Sequence, residues 1–391
     1  MIDSSPATPR RDVNSEIIRV RHVLILLALS AVASSACAHP PYSLSRTGPV
    51  GYGAAATGGG VPCHFSDAAT LRSCLGRGGA DAIADMALTV DPGEQRLTIA
   101  ADTTLDGRGL LTIAPSFFGV DIPASNVVVR NTTFHGPGVG RELKTAAEGG
   151  VLPPGVPNRH SNCATPTLTS EIFGCAVQIQ ILGGAKNVWI DHNTFTRCGD
   201  ICISGYAAND DSGRPDMITV SNNIFRGSFF AANFGVSARR PIFPPPGHVT
   251  LYGNLFDHVF RRQPGSGDFD LHVFNNYWRD FGGATYPDAP VAGCNKGFGP
   301  EVTAHAEMLL EANVAEAGPC GEAVDNQFFR PVVGVARGYG KVRTVGNLGL
   351  KGATVTGSDT LDFTPPYPYR LLPVNQVKEA VLAHAGAPQR R

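Results

Sequence analysis

The sequence predicts an all-β chain folded as a single-stranded right-handed parallel β-helix, and two observations carry that expectation. First, six segments share one pattern: SNVVVRNTTF (125–134), KNVWIDHNTF (186–195), DMITVSNNIF (216–225), GHVTLYGNLF (247–256), FDLHVFNNYW (269–278) and AEMLLEANVA (306–315). Each holds an alternating β run, then a polar residue that is usually Asn, then an apolar one. Second, Asn193, Asn223, Asn254, Asn276 and Asn313 follow one another at steps of 30, 31, 22 and 37 residues. A minimal step with variable excess fits one coil per step, with loops inserted on one face. A strand of five or six residues cannot bury its inner face alone, and stacked coils align those faces into a continuous core. The rival β-propeller would need four strands per blade at a steadier period.

Bulk composition agrees. The 391 residues are long for one ordinary core, so the choice lies between several domains and one elongated repeat domain, and the repeats favour the latter. With 46 glycines and 30 prolines, turns are many and long helices few. Charged residues at 17% and hydrophobic ones at 42% describe a globular chain, and a net charge of −1 gives no global basic field for nucleic acid.

The elements are taken in chain order. Residues 1–38 read as an export signal: Arg19, Arg21 and His22 precede an apolar run from Val23 to Leu29, and small residues follow to Ala38. Cleavage is expected near Ser34-Ser35-Ala36 or Ala36-Cys37-Ala38, and lipid attachment at Cys37 is the alternative. The apolar run is too short for a membrane span. Residues 39–391 then form the β-helix domain of a secreted or periplasmic monomer. Setting Cys37 aside leaves eight cysteines, an even number that suits disulfides in an exported chain. Spacing alone pairs Cys63 with Cys74 and Cys294 with Cys320. Cys198-x-x-x-Cys202 has the look of half a zinc site, but no second ligand pair follows it.

Residues 65–75 read as an amphipathic helix with Ser66 as N-cap, placed to cap the first coil. The Gly- and Pro-rich stretch 135–173 is too long for a turn and reads as a surface loop. The runs 188–192, 217–221, 249–252, 271–274 and 307–310 are expected to stack as strands within a β-helix over about 50–350. Asparagine at the repeated corner tolerates left-handed backbone angles, and its amide can form a ladder from coil to coil. Residues 374–385 read as a C-terminal helix packed along the barrel. Within VWIDHNTFTRCGD (188–200), Asp191 and His192 fall at a coil corner, where structural hydrogen bonding is expected, and no serine nucleophile stands beside them in a triad context. Asp200 is the stronger candidate in that stretch, as a metal ligand or a cleft carboxylate. Asn209-Asp210-Asp211-Ser212 reads as a solvated turn, with calcium ligation as the alternative.

Taken together, the ordered motifs resemble the pectate and pectin lyases of polysaccharide lyase family 1. They are GYGAAATGGG, TTLDGRG (103–109), SNVVVRNTTF, NVWIDHNTF, ITVSNNIF, Arg262-Gln263-Pro264 with His272-Val273-Phe274-Asn275-Asn276, and PPYPYRLLP (365–373). The match spans most of residues 50–388. The resemblance implies an Arg-x-Pro-x-x-Arg motif whose first arginine is catalytic. Arg262 and Pro264 fit it, while Gly267 stands at the second arginine. It implies calcium-binding acids from two coils. Only Asp200 fits, with Cys175-Ala176-Val177 in place of one Asp-Ala-Ile run and Ser204 at the last acid. A substrate-contacting lysine falls at about Phe230.

The chemistry so implied is β-elimination on a polyuronate. A base removes the proton α to the carboxyl, and a divalent cation or Lys/Arg neutralises the carboxylate as charge develops. The family assigns the base to its arginine, although a guanidinium holds its proton above about pKa 12. Arg239, Arg240 and Arg261 are candidates to line an anionic substrate cleft, against a reading as solvated loop charge. Calcium is a candidate cofactor, and the missing acids and lysine imply weak calcium dependence or an altered substrate. The expected function is therefore exported cleavage of pectate or a related polyuronate, with an acidic polysaccharide as partner. The alternatives are a polygalacturonase-like β-helix glycoside hydrolase, which needs two carboxyl groups across the bond, and a catalytically silent carbohydrate-binding β-helix.

Overall fold

The computed structural model describes residues 49–92, 96–114, 118–136, 177–206, 213–235, 246–281, 299–303, 306–317, 330–331, 340–349 and 360–388. They lie within one compact unit, Leu44–Arg391. Three sheets of parallel strands run the length of this unit, ten strands in the first and eight in each of the others. One coil shows the plan: Lys186–Asp191 in the first sheet, Thr194–Thr196 in the second and Ile201–Gly205 in the third. The chain then returns to the first sheet at Asp216–Ser221. This is a right-handed parallel β-helix. The five runs expected to stack fall on Lys186–Asp191, Asp216–Ser221, Gly247–Tyr252, Phe269–Phe274 and Glu307–Glu311, which are consecutive neighbours in the first sheet, with only His192 of the first run lying past its strand.

Register follows the alternating pattern, because a one-residue slip would turn every inner side chain outward. Val188 pairs with Ile218, Ile218 with Val249, Val249 with Leu271, and Leu271 with Met308. All five are fully buried. In the second sheet Phe134, Phe195, Phe225, Phe256 and Trp278 stack one per coil, with ring centroids 4.9 to 5.3 Å apart. That spacing is the strand-to-strand distance imposed by the backbone hydrogen bonds.

The corner between the first and second sheets holds the asparagine ladder. Asn193 Nδ2 donates to Asn223 Oδ1, Asn223 to Asn254, Asn254 to Asn276, Asn276 to Asn313 and Asn313 to Asn347, each at 2.9 to 3.1 Å. Left-handed backbone angles, however, belong to the residue before each ladder asparagine: His192, Asn222, Gly253, Asn275, Ala312 and Gly346. The ladder residue is there for its amide, and its predecessor makes the turn. Asn347 extends the ladder one rung beyond the five read from the sequence.

Helix α1, Ala68–Gly76, packs against the strands Val61–Phe65, Ala80–Ala84 and Leu97–Thr98 through buried Leu71, Cys74 and Leu75. Its N-cap is Asp67, not Ser66: the Asp67 carboxylate accepts from Thr70 N while the Thr70 hydroxyl closes a reciprocal capping box. Helix α2, Val374–His384, lies on the second sheet beside Tyr277–Phe281 and Val314–Ala317, with Lys378 Nζ 2.6 Å from Glu316 Oε1. Cys63–Cys74 is a disulfide as the spacing implied. Cys198 and Cys202 are joined as a second disulfide, which removes the zinc reading of that pair. Cys294, Cys320 and the 135–173 loop beyond residue 136 lie outside the described residues. No described helix is long and apolar enough to cross a membrane.

Candidate active site

The site forms on the third sheet, where each coil adds one strand to a parallel column. Ile201 of Ile201–Gly205 pairs with Phe230 of Phe230–Phe234, and Phe230 bridges to Arg261 on the following coil. Gly265 then pairs with Glu301 one coil further on. Residues flanking these strands are thereby brought together from sequence positions about a hundred apart. Phe230 N donates to Asp200 O at 2.8 Å, Ala232 N to Arg262 O at 3.1 Å, and Glu301 N to Pro264 O at 2.9 Å. Backbone pairing therefore sets the order Asp200, Phe230, Arg262, Glu301 along the column.

Arg262 stands at its centre with a left-handed backbone, φ 53°. Its Nε lies 3.1 Å from Glu301 Oε2, and its guanidinium carbon lies 4.2 Å from the Phe230 ring centroid. The Arg262 side chain is 23% exposed and that of Glu301 5%. Both contacts hold the guanidinium in place, one through its Nε hydrogen bond to Glu301 and the other through the face of the ring. Phe230 occupies the position where the resemblance places a lysine. A second cation beside Arg262 is thus replaced by a ring that binds one. Arg261 lies over a cluster of Phe229, Phe230 and Phe260, with its guanidinium carbon 5.0 to 5.5 Å from the three centroids.

Asp200 is buried, and burial pushes its carboxyl up to about 7, with Arg262 and Arg261 pulling the other way. Those two couplings place it in the same electrostatic neighbourhood as both arginines. The Cys198–Cys202 disulfide closes a short loop around it, and Cys198 N is held by Ser228 Oγ at 3.1 Å. Ser204, at the position of the last family acid, is fully buried and its hydroxyl makes no hydrogen bond. Calcium takes six to eight oxygen ligands, typically several of them carboxylate. Around Asp200 the described residues offer two guanidinium groups, a phenyl ring and a disulfide. Nowhere among the described residues do three or more His, Cys, Asp or Glu side chains converge. Among the described residues Asp200 is thus without the further oxygen ligands that calcium takes, residues 171–176 and 207–212 lying outside the description, and no step below passes through a metal.

Of the residues singled out in the sequence, Asp200, Arg261 and Arg262 come together here. Arg239, Arg240 and 209–212 lie outside the described residues. Sequence reasoning missed Glu301, because it lies outside the repeated segments, between 269–278 and 306–315, and no local motif marks it as the neighbour of Gly265. Phe230 was noticed only as a missing lysine. Asp191 and His192 form a separate group at the first-sheet corner. His192 Nδ1 and Ser221 Oγ each lie 2.5 Å from Asp191, on its Oδ2 and Oδ1, and Asn222 Nδ2 donates to Oδ1 at 3.0 Å. Ser221 also accepts from Trp189 Nε1 at 2.8 Å. The serine bonds to the carboxylate and not to the imidazole, so the base-to-nucleophile contact of a hydrolytic triad is absent from this group.

The chain is thus a right-handed parallel β-helix that carries a cation-bearing site on one sheet. The family model described as pectate lyase matches residues 174–390, more than half the sequence, and the chain belongs to the pectate lyase family. Pectate lyase 1 of Ambrosia artemisiifolia is 26% identical over 231 residues, which cover 57% of this chain and 51% of that protein. Probable pectate lyase A of Aspergillus flavus is 28% identical, covering 54% of this chain and 57% of its own length. The chain spans about half the length of these curated relatives. Among solved structures, a Bacillus subtilis pectate lyase variant superposes with a TM-score of 0.60 at 15% identity, covering 86% of this chain and 96% of that one. A Bacillus pectate lyase in complex with trigalacturonate gives 0.55 at 18% identity, covering 87% and 98%. At such identities the structural likeness speaks to the fold.

Proposed function

We propose that the protein cleaves an acidic polyuronate by β-elimination, with Arg262 at the reacting sugar. The observation that carries this reading is the placement of Arg262. A partly exposed guanidinium sits at the family's arginine position, fixed by Glu301 and Phe230. In the reaction a base takes the proton α to the carboxyl. The released electron pair forms the ring double bond, the bond from the β-carbon to the glycosidic oxygen breaks, and that oxygen leaves with its electrons and is protonated. Negative charge builds on the carboxyl group as the proton departs, and a fixed cation stabilises it most where water is excluded. Asp200 and Arg261 line the same region. The hydrolase alternative would need two carboxyl groups reaching across a scissile bond. Asp200 and Glu301 are instead buried on either side of Phe230 and Arg262. Export of the chain after loss of residues 1–38 belongs to the same reading and draws support from the two disulfides.

The test is to incubate the full protein with polygalacturonate, highly methylated pectin and alginate and to follow the ultraviolet absorbance of the unsaturated product. Product is expected from at least one uronan, with and without chelator, and Arg262→Ala is expected to lower its rate by about a hundredfold or more. New reducing ends without that absorbance would instead identify a hydrolase.

A further inference from the structure

We propose that Glu301 is a positioning residue: it holds Arg262 over the Phe230 ring, so that the two Nη groups of the guanidinium receive the free carboxylate of the uronate at the cleavage subsite. The inference rests on the β-elimination reading above and adds to it the ionised, unesterified uronate as the group bound. A guanidinium is a planar fork with five N–H donors. In Arg262 the Nε donor is used by Glu301, and the guanidinium carbon lies over the Phe230 ring, 4.2 Å from its centroid. The Nη1 and Nη2 groups make no hydrogen bond among the described residues, and the side chain is only 23% exposed. Donors left open on a half-buried cation invite a charged, bidentate acceptor, and a carboxylate matches their geometry.

Glu301 suits the role because it is not a mobile surface partner. Its side chain is 5% exposed. Its backbone is pinned into the third sheet by pairing with Gly265 and by the bond from its N–H to Pro264 O. Pinning Nε fixes the rotation of the whole fork, because the guanidinium is rigid. This fixed fork assigns Arg262 to holding the carboxyl group. The neighbouring Arg261 is turned onto three phenyl rings, which leaves Arg262 as the described cation of this column with open donors.

The experiment uses full-length protein, with trigalacturonate and its methyl ester as probes, and measures binding by calorimetry. Trigalacturonate is expected to bind more tightly than the ester. Glu301→Ala is expected to weaken its binding about tenfold while changing ester binding little. Glu301→Gln keeps an oxygen to accept from Nε and is expected to retain most of the affinity. Arg262→Lys keeps the charge without the fork and is expected to lose much of the preference for the free acid. In an Arg262→Ala background, Glu301→Ala should cause no further loss, since Glu301 acts only through Arg262. Three results would overturn the proposal: no preference for the free acid in the parent, equal weakening for both probes, or additive effects in the double variant. If Glu301→Ala does not fold, the Gln and Lys variants decide the matter. Failure of the parent to form unsaturated product would count against the lyase reading, while the binding arms would still judge Glu301 on their own.

Discussion

At the scale of single residues, Asp200 makes the clearest demand on pH. Its carboxyl stays protonated in the fold up to about 7, against an ordinary value of 3.8, chiefly because burial disfavours the charge. Between those values the folded chain therefore holds a proton that the unfolded chain has released. Stability contributed by this group is full below the lower value, falls as pH rises through the window, and is level above it. Asp200→Asn removes that dependence. Urea midpoints of the parent should drop more between about pH 4.5 and about pH 7.5 than those of the variant. Equal slopes would show that Asp200 is not held neutral. Ser221 makes a different demand. It is fully buried, donates to Asp191 and accepts from Trp189. Ser221→Ala should cost about 1–3 kcal/mol by denaturant unfolding, because it removes one donor from the buried Asp191 carboxylate and the acceptor of the half-buried Trp189 indole. Turnover per folded molecule should remain that of the parent. The residues that the sequence could nominate were those with a motif around them, Asp200 and Arg262. Glu301 and Phe230 carry no local signal, because their meaning depends on which residue the next coil sets beside them.

At the scale of the element, the ladder shows what periodicity reveals and what it hides. The spacing of Asn193, Asn223, Asn254, Asn276 and Asn313 was sufficient to find the coils, since one rung recurs per turn of the chain. It did not show which residue turns the corner, because Asn is both a left-handed residue and an amide donor, and composition does not separate the two uses. His192 and Ala312 occupy the left-handed position without being Asn or Gly. That pattern is readable only when the backbone is known. Asn223 tests the ladder itself. Its Oδ1 accepts from Asn193 N, and its Nδ2 donates to Ile190 O and Asn254 Oδ1. Asn223→Ala leaves buried backbone groups of two coils without partners. It should cost on the order of 2–4 kcal/mol in urea unfolding, counting about 1–3 kcal/mol for each stranded group. Asn347 sits at the last rung and is only partly buried, so Asn347→Ala should cost visibly less. Similar losses at the two positions would mean that the rungs do not differ by burial.

At the scale of the whole molecule, each strand pairs only with those of the neighbouring coils, with Tyr52–Ala55 and Tyr367 lying across several of them, so stability is largely a sum of coil and interface terms along one dimension. The middle strands of the first sheet, Lys186–Asp191, Asp216–Ser221, Gly247–Tyr252 and Phe269–Phe274, are paired on both sides. Val61–Phe65 and Lys341–Val345 end that sheet and are paired on one side each. The second of these is mostly exposed from Arg343 onward. The two ends are not equivalent. Val61–Phe65 is tied by the Cys63–Cys74 disulfide to α1, whose Leu71 and Leu75 are buried against the first strands. Lys341–Val345 has no disulfide among the described residues, and its ion pairs Lys341–Glu307 and Lys341–Asp362 are half open to solvent. Native-state hydrogen exchange should therefore show the slowest amides in the four middle strands, intermediate rates at Val61–Phe65 and the fastest strand amides at Lys341–Val345. Reduction should move Val61–Phe65 toward the faster class and leave Lys341–Val345 unchanged, because the cross-link restrains only the first. Uniform protection from end to end would contradict the one-dimensional picture and point to a fold that opens as a single unit. Protection that ranked the two ends the other way would show that the disulfide and helix contribute less to the first coil than their burial implies.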